Sequence, residues 1–113
     1  METISKEMMK GNIDTILLAL LKDKDLYGYE LTKYVRFKTQ NQYEMKEATL
    51  YLSLKRLEKK GLVTSYWGDE KGAGGRRKYY QLTKQGELEI LRKKKEWTLM
   101  NNIMQLCFEG VDN

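Results

Sequence analysis

The chain has 113 residues, with 21 Lys or Arg against 16 Asp or Glu, a single cysteine, and neither histidine nor proline. A length of this order sets one domain with a modest core, of the size that often gains stability by pairing. The lack of histidine removes the usual general base near neutral pH and the commonest transition-metal ligand, and one cysteine permits neither an intrachain disulfide nor a cysteine-based zinc site. No cofactor, no metal and no enzyme are expected.

The N-terminal stretch METISKEMMKG mixes acids with bases and has no apolar centre, unlike a signal peptide. Ser5 is placed to cap a first helix running to about Lys22, in which Met9, Ile13, Ile16, Leu17, Leu20 and Leu21 follow helical spacing. The longest apolar run, Ile16 to Leu21, is far too short to span a bilayer, so a soluble cytoplasmic protein with no membrane partner is expected. After a polar break at Asp23 to Asp25, a second helix starts at Tyr27 or Gly28, turns Leu31, Tyr34 and Val35 inward, and fades around Thr39 to Gln42. A third helix starts near Lys46 or Glu47. Leu50, Leu54 and Leu57 mark its buried stripe, and Gly61 sits where a C-terminal glycine belongs.

The period then changes. Leu62 to Trp67 is rich in β-branched and aromatic residues, Gly68 to Gly75 holds four glycines and two acids, and Arg76 to Leu82 reads as a returning strand. That is a β-hairpin with a long tip. Trp67 is expected to pack under it, against Tyr79 or Tyr80. Thr83 is placed to cap a last helix reaching Phe108 or Glu109, roughly 37 Å long at ~1.5 Å per residue. Its second half carries Trp97, Met100, Ile103, Met104, Cys107 and Phe108 at helical spacing. One small core cannot easily cover that stripe, and a second copy of the chain can.

Lys46 to Tyr80 contains nine Lys or Arg and four acids, which equals the whole formal charge of +5. Three helices followed by a hairpin, with the charge on the third helix and the hairpin, is the order of a winged helix-turn-helix DNA reader. The fold class expected is α+β, mainly α: a winged helix-turn-helix domain over residues 1–82 and a long C-terminal dimerisation helix over 83–113. The face opposite the leucine stripe supplies candidate contacts to base edges and phosphates: Thr49, Tyr51, Leu52, Ser53, Lys55, Arg56 and Lys59. Gly75, Arg76, Arg77 and Lys78, with Gly72 and Gly74 before them, form the candidate backbone clamp. Strand alternation sends Arg77 to the face opposite Arg76 and Lys78. The glycine-rich tip lacks the GK[ST] ending of a nucleotide-phosphate loop and joins two strands, which argues against that reading.

EATLYLSLKRLEKKGLV (Glu47–Val63) and SYWGDEKGAGGRRKYYQLT (Ser65–Thr83), together with ILLALL (Ile16–Leu21) and LYGYEL (Leu26–Leu31), resemble the PadR family of transcriptional regulators. The resemblance spans about residues 5 to 108 and is similar to the short subgroup that includes multidrug-binding repressors. It implies a homodimer, paired through its C-terminal and first helices, that binds a near-palindromic operator, usually as a repressor released by a small molecule. It implies Thr49, Tyr51 and Lys55 on the DNA-facing helix, with Arg76 and Arg77 on the wing. It also implies that Trp97 matches a tryptophan lining a flat apolar cavity at the dimer interface, which leaves open a small aromatic effector. Lys93 and Lys94 stand where the drug-binding members carry small or aromatic groups, and Asn101 where they carry an acid. If those residues face the cavity, the departures favour an anionic or neutral aromatic ligand over a cationic one, or no ligand at all. A winged-helix protein-interaction module without sequence-specific DNA binding is the alternative; the localised +5 charge disfavours it.

Overall fold

The computed structural model describes residues 4–70 and 75–112. Among these residues five helices and three strands follow in the order α1 (Lys6–Met9), α2 (Ile13–Leu21), β1 (Leu26–Tyr27), α3 (Gly28–Lys38), α4 (Glu47–Lys59), β2 (Val63–Trp67), β3 (Lys78–Leu82) and α5 (Lys84–Cys107). The strands form one antiparallel sheet in the order β1-β3-β2. Leucines from α2, α3 and α4 meet in the centre, with Leu17, Leu31, Val35, Leu50, Leu54 and Leu57 all essentially inaccessible. Burial of this kind is the dominant favourable term in holding a small domain together. Tyr34 is only half-buried, because its hydroxyl turns out to Asp23 at 2.8 Å.

Two local features depart from the sequence reading. The expected first helix is two helices. Ser5 does cap it, accepting from the Met8 amide at 3.3 Å, but Gly11 takes φ +85° and ends the run after one turn. Left-handed backbone costs glycine nothing, and the Asn12 side chain closes the break by donating to the Met8 carbonyl. The second departure is β1. Its two residues pair Leu26 with Tyr80 and Tyr27 with Tyr79, turning the expected hairpin into a three-stranded sheet.

Helix ends follow chemistry visible in the chain. Gly61 at φ +74° follows the last turn of α4, the Leu62 amide reaches back to the Leu57 carbonyl at 2.9 Å, and the Gly61 amide reaches Glu58 at 3.0 Å. This pair of bonds defines a Schellman ending. Thr83 caps α5 by accepting from the Gly86 amide at 3.0 Å, while its hydroxyl donates to the Gly61 carbonyl at 2.8 Å, so one side chain ties the start of α5 to the end of α4. Gly86 lies against the Leu62 carbonyl; a Cβ there would stand 2.2 Å from that oxygen, so only glycine permits the approach.

α5 is unlike the other helices. Of its 24 residues only Gly86 is buried, and Leu88, Leu91, Trp97, Leu99, Met100 and Ile103 are all exposed. The radius of gyration is 16.4 Å, against about 13 Å for a compact chain of this length. The excess is the long helix, which leaves the core after its first two turns.

Candidate nucleic-acid interface

α4 presents two unlike faces. Leu50, Ser53, Leu54 and Leu57 point inward. At 100° per residue the opposite face is centred on Ala48, Leu52, Lys55 and Lys59, all exposed. Neither lysine has an acidic partner among the described residues. Thr49 and Arg56 flank this face on one side and Tyr51 on the other. Thr49 is half-buried; Tyr51 and Leu52 are exposed.

Ser53 corrects the sequence reading. It is fully buried rather than outward, and its hydroxyl donates to the Asp14 carboxylate of α2. Arg56, one turn further on, grips the same carboxylate, with Nη2 at 2.8 Å from one oxygen and Nε at 3.3 Å from the other. Burial pushes the Asp14 carboxyl up, but the Arg56 and Ser53 hydrogen bonds and the Arg56 charge outweigh it and hold the group below the usual carboxylate range. Arg56 is therefore an internally paired base, whereas Lys55 is not.

The outer face of the sheet carries three tyrosines in a row. Tyr66 stacks on Tyr79 with ring centroids 5.6 Å apart, and Tyr27 meets Tyr79 edge-on at 5.5 Å. The Tyr66 hydroxyl donates to Asp25, which pushes its pKa up to about 12; the Tyr79 hydroxyl donates to Glu70 and is likewise raised. Trp67 is a second correction. It lies at the hairpin end, 60% exposed and opposite Lys78, and Tyr66 takes the contact with Tyr79 that was expected of it.

The wing bases are exposed. Gly75 takes φ +72°, and the Arg77 carbonyl accepts from the Gly68 amide at 2.7 Å, extending the ladder beyond β3. The Arg77 guanidinium carbon sits 4.7 Å from the centre of the Tyr27 ring. Lys78 approaches the Tyr80 ring on the other face, as strand alternation requires. Gly72 and Gly74 lie outside the described residues.

Tyr27 and Gly28 join the two halves of this surface. Tyr27 carries Arg77 of the wing, and Gly28 receives the Tyr51 hydroxyl of α4 so closely that a Cβ there would lie 2.1 Å from it. Residues that the sequence reading left out line the adjoining groove between α3 and α4: Tyr29, Thr32, Arg36 and Lys46. Helical spacing alone puts Tyr29, Thr32 and Arg36 together on one side of α3.

A second open groove, about 620 Å³, lies between the Gly11–Asn12 turn, α2 and α5. Trp97, Lys93 and Lys94 line it, whereas Asn101 does not. Glu96, overlooked in the sequence, also lines it and pairs with Lys93 at 3.6 Å. Among the described residues no acid, histidine or cysteine cluster could hold a metal ion, and no helix is long and apolar enough to cross a membrane.

Three helices, a small sheet and a basic hairpin define the winged-helix class. Residues 17–92 match the model of the transcriptional regulator PadR-like family, and the chain belongs to that family. It is similar to a transcriptional regulator from Clostridium thermocellum: 40% identical, TM-score 0.84, covering 97% of this chain and all of that one. A PadR family transcription regulator from Clostridium difficile is 43% identical with TM-score 0.76, covering 87% of this chain and 99% of that one. Bacillus subtilis PadR, solved in complex with operator DNA, is 28% identical with TM-score 0.63 over 71% of this chain and 45% of that one.

Proposed function

We propose that this PadR-family regulator is a homodimeric repressor that binds a near-palindromic operator, with α4 in the major groove and the β2–β3 hairpin on the backbone. The observation that carries this reading is the junction at Tyr27–Gly28, which sets a wing arginine and the α4 surface side by side. On it, Lys55 and Lys59 are free to meet phosphate or guanine, Leu52 a thymine methyl, and Arg76, Arg77 and Lys78 the flanking backbone. Thr49 and Tyr51 fit phosphate contacts at the edges of the helix. The known complex of the Bacillus subtilis relative with operator DNA supports the assignment.

Pairing through α5 and the first helices would cover the apolar surface that α5 leaves exposed. Two reader helices would then enter successive major grooves about 34 Å apart, and RNA polymerase would be excluded from the site. An anionic or neutral aromatic effector is the ligand suited to the groove holding Trp97, Lys93 and Lys94. Such a ligand would shift the equilibrium only through different affinity for the bound and released arrangements. The reading includes no catalytic chemistry, and its setting is the cytoplasm.

A mobility-shift titration with the protein's own promoter region tests it. The association constant should fall steeply and linearly on a log–log plot against salt, as counterions are released from neutralised phosphates. No shift, or an affinity indifferent to salt, would remove DNA from the account.

A further inference from the structure

α4 is held to the rest of the domain on two kinds of footing. Leucines supply the burial, Leu50, Leu54 and Leu57 of α4 among them, and burial as such is non-directional. The second footing is polar and directional. Asp14, in the first turn of α2, accepts from Ser53 and from both Nε and Nη2 of Arg56. Ser53 and Arg56 are one turn apart on α4, so a single carboxylate fixes that helix at two heights along its inner flank. Ser53 is fully buried, and Asp14 is the partner that satisfies its hydroxyl. On a helix about 5–6 Å in radius with its side chains, a 20° rotation moves a side-chain tip by about 2 Å, enough to break a hydrogen bond.

The pairing also acts on charge. Arg56 sits at the edge of the basic face, half exposed, where a free guanidinium would be drawn to any phosphate regardless of sequence. Bound side-on to Asp14 it contributes no free positive charge there.

We propose that Asp14 is a specificity-determining positioning residue: it fixes the rotation of α4 through Ser53 and Arg56 and withholds the Arg56 charge from DNA phosphates. This rests on the DNA-binding reading given above. It predicts opposite effects on two kinds of DNA, which a merely structural residue would not produce. With Arg56 released and α4 free to rotate, sequence-independent binding strengthens while discrimination weakens.

The test compares Asp14→Asn with the wild-type full-length protein on two duplexes of equal length. One is a sequence that the wild type selects from random DNA, and the other is mixed-sequence DNA. For Asp14→Asn the salt slope should steepen by about 0.9 per chain on both duplexes, binding to the mixed duplex should strengthen, and the ratio of affinities should fall by about tenfold or more. Equal weakening on both duplexes, or an unchanged ratio and slope, would overturn the proposal. Arg56→Gln, a change at a half-exposed position that leaves the Ser53 bond in place, gives an independent check. It should keep the wild-type slope while lowering the ratio; a slope shallower by about 0.9 would make Arg56 a phosphate contact and overturn the proposal. A wild type that cannot distinguish the two duplexes would overturn the regulator reading and this inference with it.

Discussion

Ile103→Asp should yield a monomer that has lost operator binding, if α5 pairs two chains as proposed. Ile103 lies in the outer half of α5, with Met100, Met104 and Phe108 on the same side and all of them exposed in the single chain. A stable dimer needs about 800 Å² buried on each partner, and α5 carries more exposed large apolar side chains than any other described helix. A carboxylate placed in the middle of such an interface must be desolvated without a partner, at a cost of several kcal/mol. Ile103 is exposed and belongs neither to the core cluster around Leu17 and Leu50 nor to the residues packed against it, so the domain itself should keep its fold. Losing the dimer removes the second reader helix and with it the effective concentration that links two half-sites, worth roughly 10²- to 10⁴-fold in affinity. Light scattering on a sizing column reads the mass, and a mobility shift reads the binding. A variant that stays dimeric would place the interface elsewhere.

Arg76→Ala/Arg77→Ala should weaken binding on every DNA sequence by about 100-fold per chain, or roughly 10⁴-fold for a dimer that engages both wings. Each arginine lost from a phosphate removes a charge-assisted hydrogen bond worth about 1.5 kcal/mol or more, and 1.4 kcal/mol is tenfold. The same double variant should make the salt slope shallower by about 1.8 per chain. Backbone contacts carry no sequence information, so on the proposed reading the preference among sequences should change little. Fold stability should also change little, since both residues are exposed and Arg77's described contacts are with the surface rings of Tyr27 and Tyr79. Unchanged affinity would take the wing out of the interface.

Much of this architecture was legible because it depends on neighbours in the chain. Leu50, Leu54 and Leu57 mark α4 at helical spacing, Gly61 ends it, and Thr83 starts α5, each by chemistry that acts within a few residues. What the chain concealed depends on partners far away. Ser53 reads as a polar residue for the outer face, yet its hydroxyl partner is Asp14, 39 residues earlier. Arg56 reads as one more base in a charged run, and the same aspartate holds it. β1 is two residues long, so it has no period to recognise; only its pairing with Tyr79 and Tyr80 makes it a strand. Trp67 reads as core by its size, but the register sets it opposite Lys78 at the open end of the hairpin, beyond the leucines. Tyr29, Thr32 and Arg36 were missed because the excess charge lies further along the chain, while the groove they line needs α3 and α4 brought together.

Selecting bound sequences from a pool of random duplexes tests the central claim most directly. A homodimer reading DNA with α4 should enrich a two-fold-symmetric consensus whose half-sites lie about one helical turn, roughly 10 base pairs, apart. Recovery of a single unrepeated half-site, or of no consensus at all, would contradict it.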